Sequence, residues 1–201
     1  MSDNETNTGQ TFIKRTRKTF YHPNGKGTGS AMQLELHPAH EDTEGSIFLT
    51  IAPQRRVGVR TENETVHPAF DWRNAVCLKL DLMDIAQLLQ VLRGVQESIG
   101  DGKGLFHRSA NATAVIRFEH RIEPSPGYLL DVSKKPLVGE LQKVGFFFHC
   151  IEAFAFAAMM EQALVYVAFG IPTVVPRVRQ NTAPAATSAA DVPREQVAVV
   201  A

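Results

Sequence analysis

The chain has 201 residues, of which 44% are hydrophobic and 21% charged, with 21 basic and 21 acidic side chains and no formal net charge. Length and apolar content permit a buried core without disulfide staples. The balanced charge excludes a strong basic field over the whole molecule, but residues 11–180 hold 20 basic and 17 acidic groups, a surplus of +3 that permits an anionic partner.

The opening "MSDNETNTGQ" (1–10) is polar and acidic, unlike a secretory or Arg-rich transit segment. It is expected to be disordered, and the chain to be cytoplasmic, or nucleoid-associated if prokaryotic. Folded structure is expected over 11–176. The tail 177–201, rich in Ala, Pro, Thr and Ser, lacks the apolar surface to offset its ordering entropy.

Strand-like runs then alternate with turns. "TFIKRTRKTFYH" (11–22) is β-branched, aromatic and basic. "AMQLELHP" (31–38) sets Met32, Leu34 and Leu36 on one face; "GSIFLTIAP" (45–53) sets Ile47, Leu49 and Ile51 on one face with Ser46, Phe48 and Thr50 opposite; "NAVCLKL" (74–80) does the same with Val76, Leu78 and Leu80 against Cys77 and Lys79. The period then becomes helical. Residues 81–96 place Leu82, Ile85, Leu88, Leu89, Leu92 and Val95 on one face, with Asp81 as N-cap and Asp84 in the first turn. Four further strands follow at 104–109, 113–122, 128–133 and 143–150. A last apolar helix spans about 152–169 and stops at Gly170 and Pro172.

Runs of strands closed by a helix, twice over, predict an α+β fold with two four-stranded antiparallel sheets covered by two helices. The second helix is apolar nearly all round. Glu152, Glu161 and Gln162 oppose a membrane span, so burial between subunits is expected instead.

The stretch "NGKGTGSA" (24–31) has the glycine density of a phosphate cradle. A P-loop requires G-x-x-x-x-G-K-[ST] at a helix N-terminus. Here Lys26 precedes Gly27 and a strand follows, so the stretch reads as a flexible turn between strands. Cys77 and Cys150 lie in apolar runs and read as buried free thiols. The pair in "HPAH" (His37, His40) lacks partners at zinc spacing, and His120 and His149 read as structural. No Ser, His and Asp set stands out. The chain therefore reads as a non-enzyme with no metal or cofactor.

The outward strand faces carry the functional signal. Alternation turns Phe48, Lys79, Phe106, Arg108 and Arg117 outward, with Phe70 and Trp72 of "FDW" in a loop. Aromatics interleaved with cations suit base stacking and phosphate neutralisation; packing against a neighbouring loop or subunit suits Phe48 and Phe106 equally. The basic "KRTRK" (14–18) reads either as a solvated face or as part of a groove tracking a phosphate backbone through Lys14, Arg17 and Lys18.

The order of these segments resembles the Whirly family of single-stranded-DNA-binding proteins, whose superfamily includes kinetoplastid guide-RNA-binding proteins. "YHPNGKGTGSAMQLELHP" is similar to the family's Tyr-then-Lys-Gly-Lys-Ala-Ala-Leu segment, "GSIFLTIAPQ" to its Ala-Pro strand, "FDW" to its Tyr-Asp-Trp, "LKLDLMDIAQLL" to its first helix, and "GLFHRS" to a Phe-Phe-His-Asp strand. These matches add Tyr21, Lys26 and His107 to the candidate nucleic-acid-binding residues. The resemblance implies a homotetramer assembled through the C-terminal helix and largely sequence-independent binding of single-stranded DNA in repair, recombination or transcription. The stretch departs from the family in having Lys26 alone, with Gly29 at the second lysine position. An RNA-binding or annealing protein of the same fold and an oligomeric scaffold for protein partners are the alternatives.

Overall fold

Residues 17–171 are described by a computed structural model of the chain. Lys14 and the two expected tails, 1–10 and 177–201, lie outside the described residues.

The first sheet is built on β1 (Arg17–His22), β2 (Ser30–His37) and the long β3 (Ser46–Arg56). All pair antiparallel, with Arg17 opposite Glu35 and Glu35 opposite Phe48. On its other side β3 pairs twice, with β7 (Val76–Leu80) through Ile47–Ile51 and with the short β6 (Ala69–Phe70) through Gln54 and Arg56. Between these lie β4 (Val59–Arg60) and β5 (Thr65–Val66), a separate two-stranded ribbon. The expected count of four strands is thus corrected to five. The cause is the length of β3, which extends past Pro53 and recruits Phe70 out of its expected loop.

The second sheet has the expected four strands, β8 (Leu105–Arg108), β9 (Ala112–Arg121), β10 (Gly127–Pro136) and β11 (Gln142–His149), in the order β11-β10-β9-β8. Each neighbour pair is antiparallel, as short connections allow.

Helix α1 (Leu82–Leu92) starts on a reciprocal capping box. Asp81 Oδ1 accepts from Asp84 N at 2.9 Å and Asp84 Oδ2 accepts from Asp81 N at 3.0 Å. It ends four residues before the expected 96, because Gly94 takes φ 70° and turns the chain away. Val95, expected on the buried stripe, is therefore exposed. Helix α2 (Cys150–Phe169) follows β11 directly and is long and apolar enough to cross a membrane by length and composition.

One core joins both sheets and both helices. Ile47, Leu49, Ile51, Val76, Leu78 and Leu80 meet Ile85, Leu88, Phe156 and Met160 within it. Its centre is aromatic: the Phe148 ring lies 4.9 Å from Phe146 and 4.6 Å from Phe156. Full burial of such side chains contributes about 1.5–3 kcal/mol each. The sheets are also tied through Lys134 Nζ of β10, which donates to the Cys77 carbonyl of β7 at 2.8 Å.

Two sequence expectations fail at the surface. Cys77 and Cys150 are exposed free thiols, not buried ones. Alternation puts Cys77 on the face opposite Val76 and Leu78, and Cys150 opens a helix at its solvent side. Ser46, expected outward, is buried at 3% exposure, next to Gly45, whose N–H donates to the Val167 carbonyl at the end of α2.

Candidate nucleic-acid interface

On the outer face of the first sheet, register sets four side chains in a row: Arg17, Glu35, Phe48 and Lys79. Glu35 is its hub. Arg17 Nε donates to Glu35 Oε2 at 2.6 Å, and His37 Nε2 lies 2.9 Å from Oε1. The His37 ring sits 4.4 Å from that of Phe48, which is half-buried as a result. Arg17 thus reaches the face already engaged by a carboxylate. The Arg17 side chain is 61% exposed and that of Glu35 only 12%, so the guanidinium is held on the face by a mostly buried carboxylate. Lys79 is exposed at the far end of the row.

About six residues along β3, or roughly 20 Å, the same face forms an open cleft of about 480 Å³. Tyr21, Phe70 and Trp72 line it together with Pro23, His67 and Pro68. The small Ala31 and Ala52 sit in register with Tyr21 and leave it room. The Tyr21 and Phe70 ring centroids are 5.6 Å apart. Trp72 is set by a 3-10 turn (Trp72–Asn74) opened by Asp71, whose carboxylate accepts from Asn74 Nδ2 at 2.8 Å and Asn74 N at 3.3 Å. The bond from the Asn74 side chain is the main cause holding the Asp71 carboxyl below its usual range; desolvation opposes it, and Arg55 adds a smaller pull. Arg56 Nη2 donates at 3.2 Å to the carbonyl of His67, one of the lining residues.

The outer face of the second sheet carries Phe106, Val115, Ser133 and Lys143 in one row and Arg108, Thr113 and Lys135 in the next. Phe106 is 66% exposed. Arg117 follows on β9, opposite Asp131.

The "NGKGTG" turn joins β1 to β2 as expected, but it is pinned, not loose. Asn24 Oδ1 accepts from Lys26 N at 3.1 Å and Thr28 N at 3.0 Å. Buried Gln54 makes four bonds beneath it: Oε1 accepts from Asn24 N and Gly29 N, and Nε2 donates to the Asn24 and Arg56 carbonyls. Lys26 is exposed on the turn.

Among solved structures the chain is similar to WHY1 from Arabidopsis thaliana, with a TM-score of 0.61 and 15% identity over 79% of this chain and 88% of that one. This is a Whirly fold. WHY3 from the same plant gives a TM-score of 0.56 and 16% identity over 76% of this chain and 88% of that one. No family model matches the sequence, and no curated protein matches it.

Within the Whirly frame the sequence-predicted residues fall into groups. Tyr21, Phe70 and Trp72 meet in the cleft; Arg17, Phe48 and Lys79 share a row; Phe106, Arg108 and Arg117 share the second outer face. Lys26 stands apart on the β1–β2 turn, and two candidates turn away from the outer faces. Lys18 alternates with Arg17 and sits on the other side of β1, its Nζ 5.5 Å from the Phe20 ring centroid. His107 turns inward between Phe106 and Arg108, and its Nε2 lies 3.0 Å from Asp84 Oδ1, tying β8 to the start of α1. Sequence reasoning missed Arg55, Arg56, His37, Lys135 and Lys143. The parity of Asp131, Ser133 and Lys135 was a usable signal for the fourth; the two arginines follow Pro53, where the strand was expected to end.

Proposed function

We propose that the protein is a non-enzymatic single-stranded nucleic-acid-binding protein, with DNA as its first candidate strand, protecting exposed strands in replication, recombination or repair. The observation that carries this reading is the cleft, where Tyr21, Phe70 and Trp72 converge, with the Arg56 guanidinium bonded to the carbonyl of the lining residue His67. An open aromatic cleft takes the π-face of any base, and flanking guanidinium groups take phosphate; neither needs a particular sequence. The row of Phe48 and Lys79 and the face of Phe106, Arg108, Lys135 and Lys143 repeat this combination.

The reading includes a homotetramer joined through α2. That helix buries Ala153, Phe156, Met160, Ala163 and Val167, yet Ile151, Phe154 and Phe169 are 85%, 79% and 84% exposed on its other side. Large apolar side chains exposed at both ends of one helix face, with Val165 between them and Glu161 and Gln162 interspersed, mark an association surface. Glu152 and Glu161 on the same helix, bonded to His22 and Arg93, favour protein over lipid as its cover.

Fluorescence anisotropy with single-stranded DNA, matched RNA and duplex tests the proposal. Tight, salt-sensitive binding to the single strand and weak binding to the duplex is expected, with DNA above RNA. Trp72, the sole tryptophan, should be quenched on binding, and Phe70→Ala should cost about 1–3 kcal/mol. Equal or absent binding to single strand and duplex overturns it.

A further inference from the structure

Arg117 and Asp131 are register partners at the centre of the outer face of the second sheet. Oppositely charged cross-strand partners ordinarily attract across the ladder. These two lean apart. A Cβ on Gly104, just before β8, would fall 2.9 Å from Arg117 Cγ, and a Cβ on Gly145 of β11 would fall 2.6 Å from Asp131 Oδ1. The aliphatic stem of Arg117 therefore leads over bare glycine backbone toward β8, and the Asp131 carboxylate lies over Gly145 of β11, its register partner. Between them the backbone of β9 and β10 forms a floor with a cation on one side and an acceptor on the other. Glu119, Leu129 and Phe147 occupy the next row, where Leu129 and Phe147 offer apolar surface and the Glu119 carboxylate is taken up by Arg121 Nε at 2.6 Å.

A carboxylate in the middle of a nucleic-acid face repels phosphate and accepts from base N–H groups. A guanidinium does the reverse. Guanine presents N7 and O6 acceptors to one partner and N1–H and N2–H donors to the other. Thymine has a single N–H between two carbonyl groups, which a carboxylate repels. Adenine and cytosine place an acceptor nitrogen beside the amino group that Asp131 would take.

We infer that the gap between Arg117 and Asp131 reads guanine in a bound single strand, Arg117 donating to O6 and N7 and Asp131 accepting from N1–H and N2–H. This rests on the reading of the outer faces as the nucleic-acid surface and adds a base preference to it.

The test compares the affinity of the full chain for an alternating thymine–guanine strand and an all-thymine strand of equal length at one salt concentration. A preference of about tenfold for the guanine strand is expected. Asp131→Asn should reduce it to about twofold or less while affinity for the all-thymine strand holds or rises. Gly145→Ala, which displaces the carboxylate and changes no charge, should reduce the preference in the same way. Hypoxanthine in place of guanine, lacking the 2-amino donor, should bind at an intermediate level. Equal affinity for the two strands, or a preference kept intact in both variants, overturns the inference and leaves single-strand binding standing. Absence of binding to either strand overturns the proposed function and the inference together.

Discussion

Gln54 and Asn24 hold each other at both ends: Gln54 Oε1 accepts from the Asn24 N–H at 2.8 Å, and Gln54 Nε2 donates to the Asn24 carbonyl at 3.0 Å. Two more bonds, from Gly29 N at 3.2 Å and to the Arg56 carbonyl at 3.1 Å, use the rest of the amide. One buried side chain thereby fixes the Lys26 turn to the strand that carries Arg55 and Arg56.

Gln54→Leu should leave Asn24 N and Gly29 N without the acceptor they share. A loss of about 1–3 kcal/mol is expected, read as a lower midpoint of thermal unfolding. Affinity for single strands should fall as well, because the turn and the cleft wall lose their common anchor. An unchanged midpoint would show that the turn holds itself.

Gly29 should reject any side chain. A Cβ there would fall 2.2 Å from the His22 carbonyl and 2.4 Å from Gln54 Oε1. Gly29→Lys is expected to destabilise by at least about 1–3 kcal/mol, the usual cost of overpacking. Gly25 has open space around its Cβ position. Gly25→Lys should leave the melting midpoint unchanged and steepen the salt dependence of binding by about one counterion. The turn can thus take a second lysine at 25 but not at 29, the position at which the Whirly motif would carry it.

Phe154→Arg should break the proposed assembly without unfolding the subunit, since the ring is 79% exposed. Light scattering coupled to size exclusion should give a tetramer for the parent chain and a smaller species for the variant. The same mass for both would remove α2 as the joint.

Acidification should tighten binding through Asp131. Partial desolvation against the sheet raises the carboxyl of this otherwise exposed residue above the usual range, Arg121 opposes, Glu119 adds to the rise, and Arg117 opposes more weakly. Asp131 therefore takes up its proton at a higher pH in the folded chain than in the unfolded one. Its favourable contribution to stability is full below the unfolded value and is lost as pH rises through the folded one. Over that window, protonation also removes a negative charge from the outer face, so affinity for an all-thymine strand should rise as pH falls. The rise should be smaller in Asp131→Asn. Identical pH profiles for parent and variant would exclude this role.

Much of the fold was legible because alternation is a local property. Ile47, Leu49 and Ile51 could be assigned to the core, and Phe48 to the other face, from the "GSIFLTIAP" run alone. The cleft was not, since its walls come from the end of β1, from β6 and from the turn after it. Tyr21 and Phe70 are brought together by the extension of β3 past Pro53, where Gln54, Arg55 and Arg56 give no apolar period to follow. Cys77 shows the opposite error: its alternation was readable, but the apolar character of its neighbours outweighed it. His107 was misplaced because a motif match says nothing about which way a side chain turns.

Helix α2 is fastened at both ends. Glu152 in its first turn meets His22 Nε2 at 2.7 Å, and the carbonyls of Tyr166 and Val167 accept from Ala39 and Gly45 at 2.9 and 3.1 Å. A helix clamped in this way is held at both ends to β1 and to the β2–β3 connection of the first sheet. Whatever docks along Ile151, Phe154 and Phe169 inherits a fixed angle to the two outer faces. The spacing between strand tracks on neighbouring subunits would then be set inside each subunit, before any partner arrives.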